Sequence, residues 1–310
     1  YTKDYWIATW GRGLNYMAAK NKSKLIFEQF ISQESNKKGI SSNFVSSLIS
    51  DSQHKGVWIG TRSGVDFISL PDRTFYQLLK GHPYESELRF VTGMLIDTKN
   101  RLWIGTSNGL FRINLQKTDI RKGTVDAAYY KYELSDPESG KIEKINTILQ
   151  TRDGKIWLGS NGHGIYRLEE QPGNSQFLKI DESDGLIDNV VYGMLEDEAG
   201  NIWMSTDRGL CAYNPVQSTF RYFTTADGLI SNQFYWDAYF RGADGKMYFG
   251  HVAGLSSFEP LKYSSQLSSN KVAITRITVL NELLYPSGSE TRQKRLKFDD
   301  TNRLERIRLH

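Results

Sequence analysis

The chain has 310 residues, with 39 Lys and Arg against 35 Asp and Glu, so its net charge is only +4. That charge is spread out, which argues against nucleic acid, and a single Cys excludes a disulfide framework within the chain. No apolar run approaches the roughly 20 residues of a membrane helix, and no signal peptide is visible. The chain opens on Tyr1 rather than Met, so we expect a processed or excised piece. An aromatic content of 13% with 27 Gly and only 7 Pro favours strands and tight turns over helices.

In chain order, one pattern recurs. It reads YWIATWGRGLNYM from Tyr5, GVWIGTRSGVDFI from Gly56, RLWIGTSNGLFRI from Arg101, KIWLGSNGHGIYRL from Lys155, NIWMSTDRGLCAY from Asn201 and KMYFGHVAGLSSF from Lys246. The anchoring aromatics Trp6, Trp58, Trp103, Trp157, Trp203 and Tyr248 are 52, 45, 54, 46 and 45 residues apart. Ahead of each anchor from the second to the fifth lies an apolar stretch: FVSSLISD, VTGMLID, INTILQT and VVYGMLED. A short polar turn follows, and Asp153-Gly154 and Asp244-Gly245 are direct hairpin signals. A second turn ends in Gly13, Gly64, Gly109, Gly164, Gly209 or Gly254, a third strand follows, and a polar aromatic strand such as TFYQLL or TFRYFT closes most units. Ala18–Lys38 and Gln116–Lys141 lengthen the first and third units as outer hairpins or loops. No sustained helical period is present.

A period of 45–46 residues, each unit holding three or four short antiparallel strands, predicts an all-β propeller of four-stranded blades. The apolar first strand is expected innermost, and the Trp of the second strand is expected between neighbouring blades. The Gly after that Trp is expected to relieve crowding against the next blade. The predicted divisions are a propeller over 1–260, a linker over 261–270 and the opening strands of a different β domain over 271–310.

The string apolar–D–x–x–G–x–I–W–I–G–T–x–x–G–L resembles the repeat of the two-component regulator propeller family, and DGLIDN from Asp184 and DGLISN from Asp227 resemble its approach segment. Thr151 in place of Asp, an extra residue between Asp51 and Trp58, and Tyr248 in place of Trp depart from it. VAITRITVLNELL and LKFDDTNRLERI resemble the first strands of the immunoglobulin-like triple-tyrosine domain that follows in this family. The resemblance implies seven blades in the whole protein, of which six are visible here. It further implies the periplasmic sensor of a membrane-anchored, homodimeric hybrid two-component histidine kinase that detects oligosaccharides and signals to polysaccharide-utilisation genes. No cofactor and no nucleic acid contact by this stretch are expected.

The recurring Trp residues read as packing. Trp10 and Trp236 fall outside that pattern and are candidate sugar-stacking residues. Arg12, Arg62, Asn108, His163, Arg208 and His251 are candidate ligand contacts on the rim turns, the Arg forks being suited to a sugar carboxylate. Asn43, Asn189 and Asn232 read as turn caps, and Asp51, Asp97 and Asp197 as acceptors of turn amides rather than metal ligands. Cys211 reads as a small buried residue. No catalytic or metal-binding motif stands out. A glycan lyase or glycosidase and a protein-interaction scaffold are the alternative functions.

Overall fold

The computed structural model describes residues 4–33, 39–130, 144–171 and 174–264, and four short strands between 277 and 307. The chain divides into two compact units, Tyr1–Ser264 and Ser265–His310.

The first unit holds six blades. Blade I comprises β1 (Tyr5–Ala8), β2 (Leu14–Met17) and β3 (Glu28–Phe30). Blade II comprises β4 (Val45–Asp51), β5 (Gly56–Thr61), β6 (Gly64–Ser69) and β7 (Phe75–Gln77). Blade III comprises β8 (Val91–Ile96), β9 (Arg101–Thr106), β10 (Gly109–Asn114) and β11 (Ala127–Tyr130). Blade IV comprises β12 (Ile145–Gln150), β13 (Ile156–Ser160), β14 (Ile165–Gln171) and β15 (Asn174–Ile180). Blade V comprises β16 (Val191–Glu196), β17 (Ile202–Thr206), β18 (Leu210–Asn214) and β19 (Thr219–Phe223), and blade VI comprises β20 (Phe234–Arg241), β21 (Met247–His251) and β22 (Gly254–Phe258). Every blade is an antiparallel meander. The expected four strands are thus present in blades II to V, while blades I and VI show three each among the described residues. Inner strands β4, β8, β12, β16 and β20 lie side by side in succession, which is the propeller arrangement.

The repeated residues explain the packing. Trp58, Trp103, Trp157 and Trp203 are buried, and each packs into the apolar cluster of the next blade: Trp103 meets Ile145, Ile148 and Leu158, and Trp203 meets Phe234, Met247 and Phe249. Burying an indole of this size contributes about 4–6 kcal/mol. The acid before the hairpin accepts from the indole: Trp58, Trp103 and Trp203 donate Nε1–H to Asp51, Asp97 and Asp197 at 2.9, 2.8 and 2.9 Å. The same carboxylates also hold turn amides, as Asp97 Oδ1 does with Lys99 and Arg101, both at 2.9 Å. The extra residue between Asp51 and Trp58 is absorbed in the turn, and their bond is kept. Neighbouring blades are further tied by inner-strand side chains that reach the first carbonyl of the next blade: Ser46 to Val91 at 2.6 Å, Thr92 to Ile145, and Asn146 to Val191 at 3.1 Å. A Cβ on Gly60 would stand 2.7 Å from Val91 Cγ1, and one on Gly159 2.9 Å from Val191 Cγ1, so close blade approach requires glycine there.

The lengthened stretch of blade I contains a short 3₁₀ helix, Ala19–Lys24, before β3. In the stretch expected over 116–141, an Asp119–Thr124 bridge precedes β11, and the part beyond Tyr130 lies outside the described residues. Leu261–Ser264 forms one helical turn, α1. In the second unit β23 (Ile277–Val279) pairs with β24 (Glu282–Leu284), and β25 (Leu296–Phe298) pairs with β26 (Leu304–Ile307). The rest of the expected linker and most of the expected immunoglobulin-like stretch lie outside the described residues.

Candidate functional site

The turns between the second and third strands share one construction. Thr9, Thr61, Thr106, Ser160 and Thr206 each donate a hydroxyl to the carbonyl of the turn Gly, at 2.7, 2.9, 3.1, 2.8 and 2.8 Å. The backbone amides of Ser63, Asn108, His163 and Arg208 donate back to the hydroxyls of blades II to V. In blades I to IV the turn also meets a segment leading into an inner strand: Gly11 N–H donates to Asn43 at 3.0 Å, Arg62 N–H to Phe44 at 3.0 Å, Ser107 N–H to Phe90 at 3.3 Å, and Asn161 N–H to Lys144 at 3.0 Å. The variable turn residues Trp10, Arg62, Ser107, Asn161 and Asp207 therefore stand on one rim with the lead-in residues Phe44, Phe90, Lys144 and Val190.

On this frame, two of the expected site residues meet. Trp10 is 64% exposed and stands edge-on to Trp236, with ring centroids 6.1 Å apart. Its other neighbour is Phe44, at 5.3 Å, and its backbone bridges to Phe44. The Arg62 guanidinium lies over Phe44 at 5.5 Å and over Phe90 at 5.1 Å, and Lys144 Nζ lies 5.5 Å over Trp236. The result is a continuous row, Lys144–Trp236–Trp10–Phe44–Arg62–Phe90, drawn from blades I, II and VI and from the lead-ins to blades III and IV. Trp236 was expected outside the repeat. It lies on inner strand β20, at a register shift between Phe234 and Tyr239 where Asp237 adopts φ +56°. Crowding protein pushes the Asp237 carboxyl pKa up, while its exposed surface lets water screen the shift. The adjacent Tyr239 hydroxyl meets Thr147 at 2.9 Å, and desolvation is the main cause pushing its pKa up to about 12.

The rim of blade V differs. Arg208 faces Glu182 at 3.4 Å and Asp188 at 3.8 Å, and Tyr192 donates to Asp207 at 3.0 Å. Burial, then the hydrogen bond to Asp207, pushes the Tyr192 pKa up to about 12. Burial also raises the Asp188 pKa.

The remaining expected residues are dispersed. Arg12 is exposed beside Trp10, and its carbonyl accepts from Gln29 at 2.8 Å. Asn108 is exposed, and its carbonyl accepts the Tyr129 hydroxyl at 2.8 Å. His163 is half-buried, with Nδ1 enclosed and without a hydrogen-bond partner among the described residues. His251 is the last residue of β21, not a turn residue: it is buried, meets Ser256 at 3.1 Å and packs edge-on to Phe234. Asn43, Asn189 and Asn232 accept backbone amides of Ser32, Glu182 and Thr225 at 2.7, 3.0 and 2.8 Å, as turn caps do. Cys211 is buried, and desolvation pushes its thiol up to about 12. Among the described residues no group of three or more His, Cys, Asp or Glu is placed to hold a metal ion. Phe44, Phe90 and Lys144 were not expected in a site. Their sequence signal is positional, since each directly precedes or nearly precedes an inner strand.

Comparison with known proteins agrees with this architecture. A model of the two component regulator propeller family matches residues 139–162 and 185–208. Histidine kinase P4 of Formosa agariphila is 28% identical over 238 residues, covering 76% of this chain and 17% of that protein. The extracellular domain of a hybrid two component system from B. thetaiotaomicron superposes with a TM-score of 0.68 at 22% identity, over 95% of this chain and 37% of that one. PorZ, a surface component of the type-IX secretion system of Porphyromonas gingivalis, gives 0.61 at 15% identity over 83% of this chain and 37% of that one. Streptogramin B lyase gives 0.56 at 12% identity over 81% of this chain and 77% of that one. The chain thus spans about a sixth of the curated relative and little more than a third of the first two structures. The matched repeats fall on blades IV and V, and the six blades are built on the same Trp frame, so the chain carries repeats similar to those of the two-component regulator propeller family.

Proposed function

We propose that this chain is part of the extracytoplasmic sensing region of a hybrid two-component histidine kinase, and that the ligand sensed is an oligosaccharide. The observation that carries this reading is the exposed aromatic row centred on Trp10, on a rim whose turns are otherwise built alike. Flat rings flanked by a few polar groups suit a sugar, and the likeness to two-component regulator propeller repeats and to a histidine kinase supports the signalling context. The whole protein would be anchored in the inner membrane with this region in the periplasm, dimerise through the sensor region and signal to polysaccharide-utilisation genes. Ligand would act by differential affinity for two arrangements of the dimer.

This stretch binds rather than catalyses. A lyase shares the fold, but on the rim of blade V the carboxylates of Asp188 and Asp207 are already engaged with Arg208 and Tyr192. Calorimetry of the chain against a panel of oligosaccharides tests the reading. Saturable binding that Trp10→Ala removes, with no product formed, is the expected outcome. Turnover of one panel member, or equal binding by Trp10→Ala, would sink it.

A further inference from the structure

We infer that the rim row takes an acidic oligosaccharide, with its sugar rings against Trp10 and its carboxylate or sulfate groups at Arg62 and Lys144. This rests on the sugar-binding reading and adds the charge of the ligand. Arg62 and Lys144 lie over the faces of Phe44, Phe90 and Trp236, and neither has a carboxylate partner among the described residues. On blade V the equivalent rim carries Arg208 between two carboxylates. The two cations on either side of Trp10 in the row are therefore not neutralised from within the described residues, whereas the blade V cation is. A ring beneath a cation leaves its outward N–H groups free for an anion, and a guanidinium fork matches carboxylate or sulfate oxygens in pairs.

Two further features belong to the same row. Phe90 holds φ +50°, in a region that a bulky residue seldom adopts, and is 45% exposed beneath Arg62. The strain of such a backbone costs about 1–3 kcal/mol, and here it leaves the ring exposed on the rim beneath Arg62. The Trp236 Nε1–H is enclosed and has no acceptor among the described residues, so Trp236 offers the row its ring rather than a donor. Neutral sugars would use the rings but would leave both cations unmatched.

The test titrates the chain with three probes of similar length: an oligogalacturonate, a sulfated carrageenan oligosaccharide and a neutral xylo-oligosaccharide. Indole fluorescence and calorimetry are read at two salt concentrations. One acidic probe is expected to bind, more weakly at high salt, and to cause an indole fluorescence change that Trp10→Ala lacks. Arg62→Gln and Lys144→Gln are each expected to weaken it about tenfold while leaving the thermal midpoint in place. The two acidic probes separate carboxylate from sulfate recognition. If the neutral probe binds as tightly as either acid, or if acidic binding survives both substitutions unchanged, the inference is overturned and sugar binding stands. If no probe binds and indole fluorescence is unmoved, both the inference and the sugar-binding reading fall.

Discussion

The blade interiors and the rim obey different rules, although the same repeat supplies both. Inside, blades III and V place the same atoms at the same stations: Asp97 and Asp197 each precede their Trp by six residues, and each bonds its indole nitrogen. On the rim, the turn position is Trp10, Arg62, Ser107, Asn161 or Asp207. The turn itself is closed by a Thr or Ser hydroxyl one residue earlier, so the rim side chain is not needed to close it. Its identity is free to serve a ligand. Interiors should thus be costly to alter and rims cheap.

The sharpest way to break this contrast is a pair of Trp truncations. Trp103→Ala removes a buried ring that fills the seam between blades III and IV, and should destabilise by about 3–5 kcal/mol. Trp10→Ala, at 64% exposure, should cost less than about 1 kcal/mol. Urea unfolding of both variants checks this, and comparable losses would show that Trp10 is structural.

Asp66 is the exception inside. It sits at the station that blades III, IV and V give to Phe111, Tyr166 and Cys211. It is buried, accepts Ser41 N–H at 2.6 Å and leaves Oδ1 without a partner among the described residues. Desolvation pushes its pKa up to about 7. The folded state therefore keeps this proton up to about pH 7, whereas the unfolded chain releases it near 4. Its contribution to stability is full below pH 4 and is lost as pH rises to about 7, by on the order of 4 kcal/mol at most. Asp66→Asn cannot ionise, so its thermal midpoint should gain on the wild type between pH 4 and 8. Parallel pH profiles would show that Asp66 does not titrate in this window.

Asp97→Ala should come next, at about 2–3 kcal/mol, because it strands a buried indole N–H and removes the partner of Arg101 at 2.6 Å. A loss no larger than that of the rim substitution Asn108→Ala would mean that the Asp–Trp bond is not a support of the blade.

The blades were legible in the sequence because their packing reuses one residue type at one spacing. Trp58, Trp103, Trp157 and Trp203 announce their burial by recurring, and Trp10 announces a different role by breaking the pattern. The bond from Asp to indole was not legible as such: turn chemistry explains an Asp at that station equally well, and only the folded hairpin turns Asp97 Oδ2 towards Trp103. At the site, Trp10 and Trp236 stood out, but nothing in their spacing showed that they would touch. That contact depends on the register shift in β20, which the sequence pattern does not mark. Phe44, Phe90 and Lys144 were missed because a residue next to an apolar strand looks like the end of that strand. His251 was misplaced by one position, enough to exchange a rim turn for the buried end of β21.

Blade IV offers the finest test of the interior rule. Thr151 precedes Trp157 by six residues, the spacing of Asp97 and Asp197 to their indoles. Restoring the acid alone should gain nothing. Asp153 Oδ1 lies 2.5 Å from Thr151 Oγ1, and a carboxylate at 151 would meet that of Asp153 at a distance where like charges repel. The equivalent stations in blades III and V are Lys99 and Ala199, neither of them acidic. Thr151→Asp combined with Asp153→Ala should therefore stabilise by about 1 kcal/mol, the net worth of one buried hydrogen bond, whereas Thr151→Asp alone should be neutral or harmful. Urea midpoints of the single and double variants decide it. If the single change stabilises as much as the pair, Asp153 is not what displaced the acid from blade IV.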